Sequence, residues 1–343
     1  MKSVTVITPS RIHLALIDLN GGLGRVDGSI GLSLEDPGFR IIAQHADETE
    51  VSGSDESIQR AWEVVELLQR KCEVGHVRID IEESIPAHVG LGCGTQLSLG
   101  IAQAVCKLYG LDLSHREMAF LVERGGTSGI GVAAFSQGGF IVDGGHRFSD
   151  EKTSFLPSSA SRGVPAPPVI ARYDFPDWDI LITIPNCKHI SGQEEVNLFQ
   201  TLCPLPLDDI QALSHVILMK LLPGLVQQDL GTFGEAIDQI QTMAWKKVEV
   251  AKQDPVVSQV MGFLRDTGAY GVGLSSWGPA IFCFGEDLSA IQARTQAFLA
   301  DTISDGVCFL TRANNTGAVA IEEQNGVHGS RSETADLQRA FRR

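Results

Sequence analysis

The segment Pro86-Ala87-His88-Val89-Gly90-Leu91-Gly92-Cys93-Gly94-Thr95 places glycine at alternate positions and runs straight into an apolar helical pattern. Glycines so spaced let the backbone approach a ligand closely, and the N–H groups opening the next helix point at whatever sits there. The natural ligand is a phosphate or diphosphate, with a purely structural tight turn as the competing explanation. Gly90, Gly92, Gly94, Thr95 and Gln96 are the candidate cradle. The loop is not a P-loop, because no Gly-Lys-Ser/Thr follows. It is also a poor dinucleotide fingerprint, lacking the acidic residue that closes a second strand about 20 residues on.

A cradle of this kind must be held between a strand and a helix, and the flanking patterns supply both. Val77 to Ile81 alternates as a strand does, and Thr95 to Tyr109 repeats Leu97, Ile101, Ala104, Val105 and Leu108 at helical intervals before Gly110 stops it. Upstream, Ser3 to Ile7 is β-branched, and Ile12 to Leu19 leads into an Asn20-Gly21-Gly22 turn, which reads as an early hairpin. Phe39 to Ala43 and Glu50 to Ser52 are short strands, and Ile58 to Cys72 is helical. Ser114-His115-Arg116-Glu117 fits a capping box that starts a helix running to about Arg124. Gly138 to Val142 resembles a strand, and the Ser, Pro and Gly of 158–168 mark a linker.

The second half predicts a strand at Asp179 to Pro185 and helices at Leu207 to Leu222, Phe233 to Lys252 and Pro255 to Asp266. A glycine-rich segment, Gly268 to Gly278, leads into the strand Ala280 to Phe284, followed by a helix at Leu288 to Ala300 and a strand at Val307 to Thr311. Strands and helices alternate without a regular βαβ cadence, which favours an α+β fold in two layers. The expected division is an N-terminal subdomain over 1–160, an intimately packed C-terminal one over 161–321, and a loose polar tail over 322–343.

Composition narrows the function. The 343 residues are 43% hydrophobic and 20% charged, ordinary values for a globular chain with a real core. With 27 Lys+Arg against 42 Asp+Glu, the formal charge of −15 opposes broad binding of nucleic acid or an anionic membrane. A single phosphate group is still within reach of a helix N-terminus and a few local cations. Seven cysteines without a CxxC pair read as reduced thiols of a cytoplasmic protein. No stretch is expected to reach the roughly 20 apolar residues of a membrane span.

At Pro86 to Leu97 the sequence resembles the central glycine-rich motif of the GHMP kinase superfamily. Thr8-Pro9-Ser10-Arg11-Ile12-His13-Leu14 and Gly271-Val272-Gly273-Leu274-Ser275-Ser276-Trp277-Gly278-Pro279 fall where that superfamily has its other two motifs. The resemblance covers about residues 3–320 and implies the GHMP fold. The departures from the kinase pattern are informative. Kinases of the superfamily usually carry a serine pair after GLG, where this chain reads Cys93-Gly94. Many place a catalytic aspartate in Ser-Gly-x-Asp, where this chain reads Ser128-Gly129-Ile130-Gly131. Glycine cannot accept a proton, so that mechanism lacks its base. Some superfamily kinases work without the aspartate, so an ATP-dependent small-molecule kinase stays as the alternative, and a ligand-binding regulator as a third class.

The wording SRIHLALIDLNG, IPAHVGLGCGTQLSLGIA and RGGTSGIGVAAFSQGGFIVDGG is similar to the archaeal β-ribofuranosylaminobenzene 5′-phosphate synthase branch. Members join the ribosyl 5-phosphate of phosphoribosyl diphosphate to 4-hydroxybenzoate or 4-aminobenzoate on the route to methanopterin, losing diphosphate and CO₂. The resemblance implies a homodimer and Mg²⁺, with the metal ligands unknown. Loss of diphosphate calls for backbone donors and cations, and the aromatic carboxylate for an arginine, Arg11 or Arg124. Either arginine could equally be a solvated surface charge. His13 could hold or deprotonate the ring substituent, or be a structural histidine. Asp18 could assist a metal or the sugar, or form a turn. Thr127 and Ser128 suit phosphate hydrogen bonds or form a C-cap loop, and Ser275 falls in the motif that packs beside the phosphate loop; His189 and Lys188 follow a strong strand, at a ligand or in a solvent-facing loop, and Trp277 could stack on a ring or be a core tryptophan. Cys93, at a helix start that favours a thiolate, has no partner base and is not read as a nucleophile.

Overall fold

The computed structural model describes residues 2–188, 190, 192–302 and 306–324. The chain opens with β1 (Lys2–Ile7), β2 (Ser10–Asp18) and β3 (Arg25–Leu34). β2 and β3 are an antiparallel hairpin. Asp18 Oδ1 accepts from the N–H groups of Asn20 (2.7 Å) and Gly21 (3.0 Å), so this carboxylate builds the hairpin's turn. β4 (Arg40–His45), β5 (Glu50–Ser52), α1 (Asp55–Cys72), β6 (Val77–Glu83), α2 (Cys93–Tyr109) and α3 (His115–Leu121) follow. The expected capping box is present at α3: Glu117 N–H donates to Ser114 Oγ at 3.2 Å, and Ser114 N–H to Glu117 Oε2 at 2.8 Å. α4 (Ile130–Gln137), β7 (Phe140–Asp143) and β8 (His146–Arg147) complete the first half.

The second half contains β9 (Val169–Tyr173), β10 (Asp179–Ile184), α5 (Gln193–Leu202), α6 (Leu207–Val216), a π-helical turn (Ile217–Leu221), α7 (Leu222–Val226), α8 (Leu230–Ile240) and α9 (Ala244–Ala251). α10 (Pro255–Asp266), β11 (Tyr270–Leu274), β12 (Ile281–Gly285), α11 (Ser289–Thr302), β13 (Val307–Thr311) and β14 (Val319–Gln324) end the described chain. The strands form three sheets in the orders β14-β1-β4-β6-β5, β2-β3-β7-β9 and β11-β12-β10-β13. α2 is buried on most of its surface between β1, β4, α1 and α4. Its Leu97, Leu99, Ile101, Val105 and Leu108 are each at most 3% exposed, which at about 1.5–3 kcal/mol per side chain fixes the helix that the glycine loop feeds.

Four expectations change in three dimensions. The helix read over 233–252 is two helices, because Met243 is extended (φ −116°, ψ 152°) and Gln241 Oε1 accepts from Leu274 N–H at 2.9 Å. The division at 160 is crossed by strand pairing: β9 adds to β7, and β14 returns to lie antiparallel to β1, Ile7 opposite Val319. The main core likewise runs from Val4 to Phe284. Residues 322–324, assigned to a loose tail, belong to β14, and 325–343 lie outside the described residues. The continuous helical run Leu207–Val226, with mean hydropathy 1.3, also has the length and composition of a membrane span, contrary to expectation. Its Leu213, Val216, Ile217, Leu221 and Leu225 are packed in the main core.

Candidate active site

β2 is an edge strand with β3 on one side only, and the two glycine-bearing motifs, 86–97 and 271–279, meet on its other side. Arg11 N–H donates to Leu91 C=O at 3.1 Å, and Ser276 N–H donates to His13 C=O at 3.2 Å. His13 N–H donates to Ser275 Oγ (3.0 Å), which itself donates to Gly90 C=O (2.7 Å). The contacts are too close for side chains: at Gly90 (φ +94°) a Cβ would lie 2.3 Å from Ser275 O. Ser275, expected at a phosphate, is therefore a clamp joining the loop to β2; it is fully buried and does not line the cavity.

The cavity so enclosed measures about 510 Å³. One side is the phosphate-type cradle. Gly92 (φ +84°) caps α2, and Cys93 and Gly94 open it, where first-turn N–H groups have no intrahelical acceptor. Arg124 lies over this turn, Nη2 3.6 Å from where a Gly94 Cβ would be. Its Nε and Nη2 are buried without a partner, and burial pushes the guanidinium down to about 10, still charged at neutral pH. Two unpaired N–H donors beside a helix N-terminus are an oxyanion site. α1 adds Glu56, Arg60 and Glu63, with Arg60 Nη1 3.3 Å from Glu63 Oε2. Burial pushes the Cys93 thiol up to about 11, overriding the thiolate preference expected from its helix position.

Thr95 lines the cavity, whereas Gln96 is turned away, its Nε2 donating to Gly131 C=O at 2.8 Å. Gly131 stands where many superfamily kinases carry aspartate, and a Cβ there would sit 3.0 Å from Thr95 Cγ2. Thr127 and Ser128 line the cavity, but their hydroxyls are engaged. Thr127 Oγ1 donates to Leu156 C=O (2.7 Å) and accepts from Lys152 Nζ (3.0 Å). Ser128 Oγ accepts from Ile130 N–H (3.2 Å) and meets Ser29 Oγ (2.7 Å). Behind them lie two buried carboxylates. Asp27 holds Lys152 Nζ (3.0 Å) and His146 Nδ1 (2.7 Å). Asp143 accepts from Ser29 Oγ and from Gly129 (2.9 Å) and Gly145 (3.0 Å) N–H; burial raises its carboxyl to about 6.

The rest of the lining comes from β2 and the second half of the chain, with Arg11 Cγ 3.0 Å from where a Gly92 Cβ would be. Leu16, Ile190, Phe199 and Trp277 form an apolar wall, Trp277 edge-on to Trp245 (ring centroids 5.8 Å apart, 85°). Arg11 and His13 reach in from β2, Glu195 from α5 and Glu249 from α9. Arg11 Nη1 donates to Gly90 C=O, and burial, opposed by Glu249, brings the guanidinium down to about 10. Lys246 Nζ is ion-paired with Glu249 Oε2 and donates to Leu274 C=O at 3.1 Å, with both side chains at most 3% exposed. Both ring nitrogens of His13 are buried without a partner, and burial, Lys246 and Arg11 hold the ring well below its usual range, hence neutral. Burial, then the facing Glu249, pushes Glu195 up to about 8; burial, opposed by Lys246, raises Glu249.

Lys246, Glu249, Glu195, Glu56 and Phe199 escaped sequence reasoning. The one signal was Lys246 and Glu249 at i, i+3, a spacing common on any solvated helix. Lys188 is exposed and outside the cavity lining, and His189 lies outside the described residues. Among the described residues no cluster of three or more His, Cys, Asp or Glu could hold a metal by itself.

The fold and this site define a class. Residues 59–139 match the family model GHMP kinases N terminal domain, and 221–301 match GHMP kinases C terminal. A homoserine kinase from Cytophaga hutchinsonii superposes with TM-score 0.65 over 93% of this chain and 97% of its own; at 15% identity the likeness shows the fold. The chain is therefore a GHMP-superfamily protein of α+β architecture. It is 42% identical over 328 residues (92% of this chain, 98% of the relative) to a β-ribofuranosylphenol 5′-phosphate synthase of Methanothermobacter thermautotrophicus. To the synthase of that name from Archaeoglobus fulgidus it is 43% identical over 311 residues, 90% and 97% of the two chains. Within the superfamily it belongs to the β-ribofuranosylphenol 5′-phosphate synthase family.

Proposed function

We propose that this protein is a β-ribofuranosylphenol 5′-phosphate synthase, which condenses phosphoribosyl diphosphate with an aromatic 4-substituted benzoate and releases diphosphate and CO₂. The observation carrying this reading is one cavity whose lining combines an unpaired buried guanidinium at a helix N-terminus with an apolar wall that includes Phe199 and Trp277. An anion that must leave and a flat apolar nucleophile need those two surfaces side by side. Family membership supports the same reading over a kinase, as does glycine at position 131, beside Thr95, where many superfamily kinases carry a carboxylate base.

Arg124 and the first N–H groups of α2 bind the diphosphate and take up the charge it gains on leaving. Arg11, on the Glu249 side of the loop, orients the aromatic carboxylate so that the ring carbon carrying it meets the anomeric carbon. Phe199, Trp277, Leu16 and Ile190 hold the ring and exclude water that would otherwise capture the sugar cation. The donor set near the cradle suits Mg²⁺ carried by diphosphate, which commonly uses one or two carboxylates with phosphate oxygens and waters. Glu56, with the Thr95 hydroxyl, would hold it, and the metal would neutralise charge on the leaving group. The relatives are named for a ribofuranosylphenol product, which favours 4-hydroxybenzoate over 4-aminobenzoate. The active form in this reading is a homodimer acting on small molecules.

The test incubates the protein with Mg²⁺, phosphoribosyl diphosphate and ring-carboxyl-labelled 4-hydroxybenzoate or 4-aminobenzoate, with ATP consumption followed in parallel. Label released only with phosphoribosyl diphosphate, without ATP use, is expected, faster for the hydroxy acid. ATP turnover on a panel of small alcohols with no label release would favour the kinase.

A further inference from the structure

The reaction above leaves one group of side chains unused. Lys246 and Glu249 are an ion pair sealed inside the protein, and Glu249, Glu195 and His13 all face the cavity. Lys246 is taken up by its ion pair with Glu249, so the cation left on this side for a benzoate's own carboxylate is Arg11, which lies against the Gly92 cap of the cradle, and that carboxylate turns toward it. The substituent across the ring then points at Glu195, Glu249 and His13. Two carboxyl groups and an unpartnered imidazole are acceptors for an O–H or N–H donor, and a buried polar group left unmatched is costly.

Resting on the synthase reading, we propose that Glu249 is the general base for the acceptor's 4-hydroxyl, with Glu195 and His13 fixing that oxygen and Lys246 as a positioning residue. The phenolic proton passes to Glu249 as the ring carbon bearing the carboxylate bonds to the anomeric carbon. The C–O bond to diphosphate breaks, and its electron pair leaves with diphosphate. The bond to the carboxylate then breaks, CO₂ departs, its electron pair restores the aromatic ring, and Glu249 returns the proton to the phenolate. No oxidant or further reactant is needed.

The groups facing Glu249 set its behaviour: Lys246 on its own helix, Arg11 and His13 from β2, and Glu195 from α5. Burial opposes its carboxylate, while Lys246 and then Arg11 favour it. His13, held neutral with two cations near it, is the weaker candidate for proton removal.

The experiment compares wild type with Glu249→Gln and Glu195→Gln, using phosphoribosyl-diphosphate-dependent CO₂ release from 4-hydroxybenzoate and its ring-fluorinated analogues, whose phenols are more acidic. Glu249→Gln should lower kcat about 10²-fold or more, the usual range for a general base. Its KM for phosphoribosyl diphosphate should stay unchanged, and the deficit should shrink as the phenol becomes more acidic. Glu195→Gln, which breaks no ion pair, keeps the test open should Glu249→Gln fold poorly: it should raise KM for 4-hydroxybenzoate and shift the alkaline limb of the pH profile. If wild type turns over while a folded Glu249→Gln keeps its kcat, or, where that variant does not fold, Glu195→Gln keeps the wild-type KM and pH profile, this inference is overturned alone. If wild type releases no label, the synthase reading falls and the inference with it.

Discussion

Arg124 makes opposite demands on stability and on binding, and Arg124→Met separates them. Its Nε and Nη2 are buried and unpartnered in the free protein, over the first turn of α2. A buried donor without an acceptor costs about 1–3 kcal/mol, so a methionine of similar length should melt no lower than wild type. In the diphosphate complex the same two donors each make a charge-assisted hydrogen bond, typically about 1.5–3 kcal/mol. Losing both removes about 3–6 kcal/mol, which at 1.4 kcal/mol per factor of ten weakens binding about 10²- to 10⁴-fold. Calorimetric titration with diphosphate and Mg²⁺ reads the affinity, and thermal melting of the free protein reads the stability. Binding equal to wild type would refute the oxyanion role. Weak binding accompanied by a clear drop in Tm would refute the claim that those donors are held unpaired for a ligand.

Gly90→Ala puts a Cβ 2.3 Å from Ser275 O at φ +94°, so the loop must leave the edge of β2; a loss of stability of at least about 2 kcal/mol is expected in denaturant titration, together with loss of activity. Lys152→Met strips a buried ion pair and leaves Asp27 with His146 alone; a loss of about 3–5 kcal/mol is expected, and a variant as stable as wild type would show the Asp27 carboxylate is compensated otherwise. Asp143 binds its proton more tightly folded, at about 6 against the ordinary 3.8, so its contribution is present below about pH 4 and is lost as pH rises to about 6. At 1.36 kcal/mol per pH unit the gap amounts to about 3 kcal/mol, and the difference in unfolding free energy between wild type and Asp143→Asn should change by that order across the window. A constant difference would refute it.

The sequence by itself determined the features written in short-range chemistry. The glycine alternation at 90–94, the capping box at Ser114 and the stop at Gly110 each need only a few consecutive residues, and each takes the expected form. Gly90, Gly92, Gly94 and Thr95 were legible for the same reason, whereas Arg11, His13, Arg124, Thr127 and Ser128 were named through the family resemblance; all nine line the cavity. Which polar groups face the ligand was settled by contacts between residues far apart in the chain. Ser275 lies 185 positions from the carbonyl it holds and 262 from the amide that bonds to it, so its inward rotation had no local sign. Gln96 turned toward α4 because the Gly131 carbonyl lay within reach. The break at Gln241–Met243 depends on an amide from β11, and it starts α9, the helix that carries Lys246 and Glu249 to the cavity. A local pattern constrains dihedral angles and buried faces, but the partner that a buried polar atom finds is a property of the packed chain.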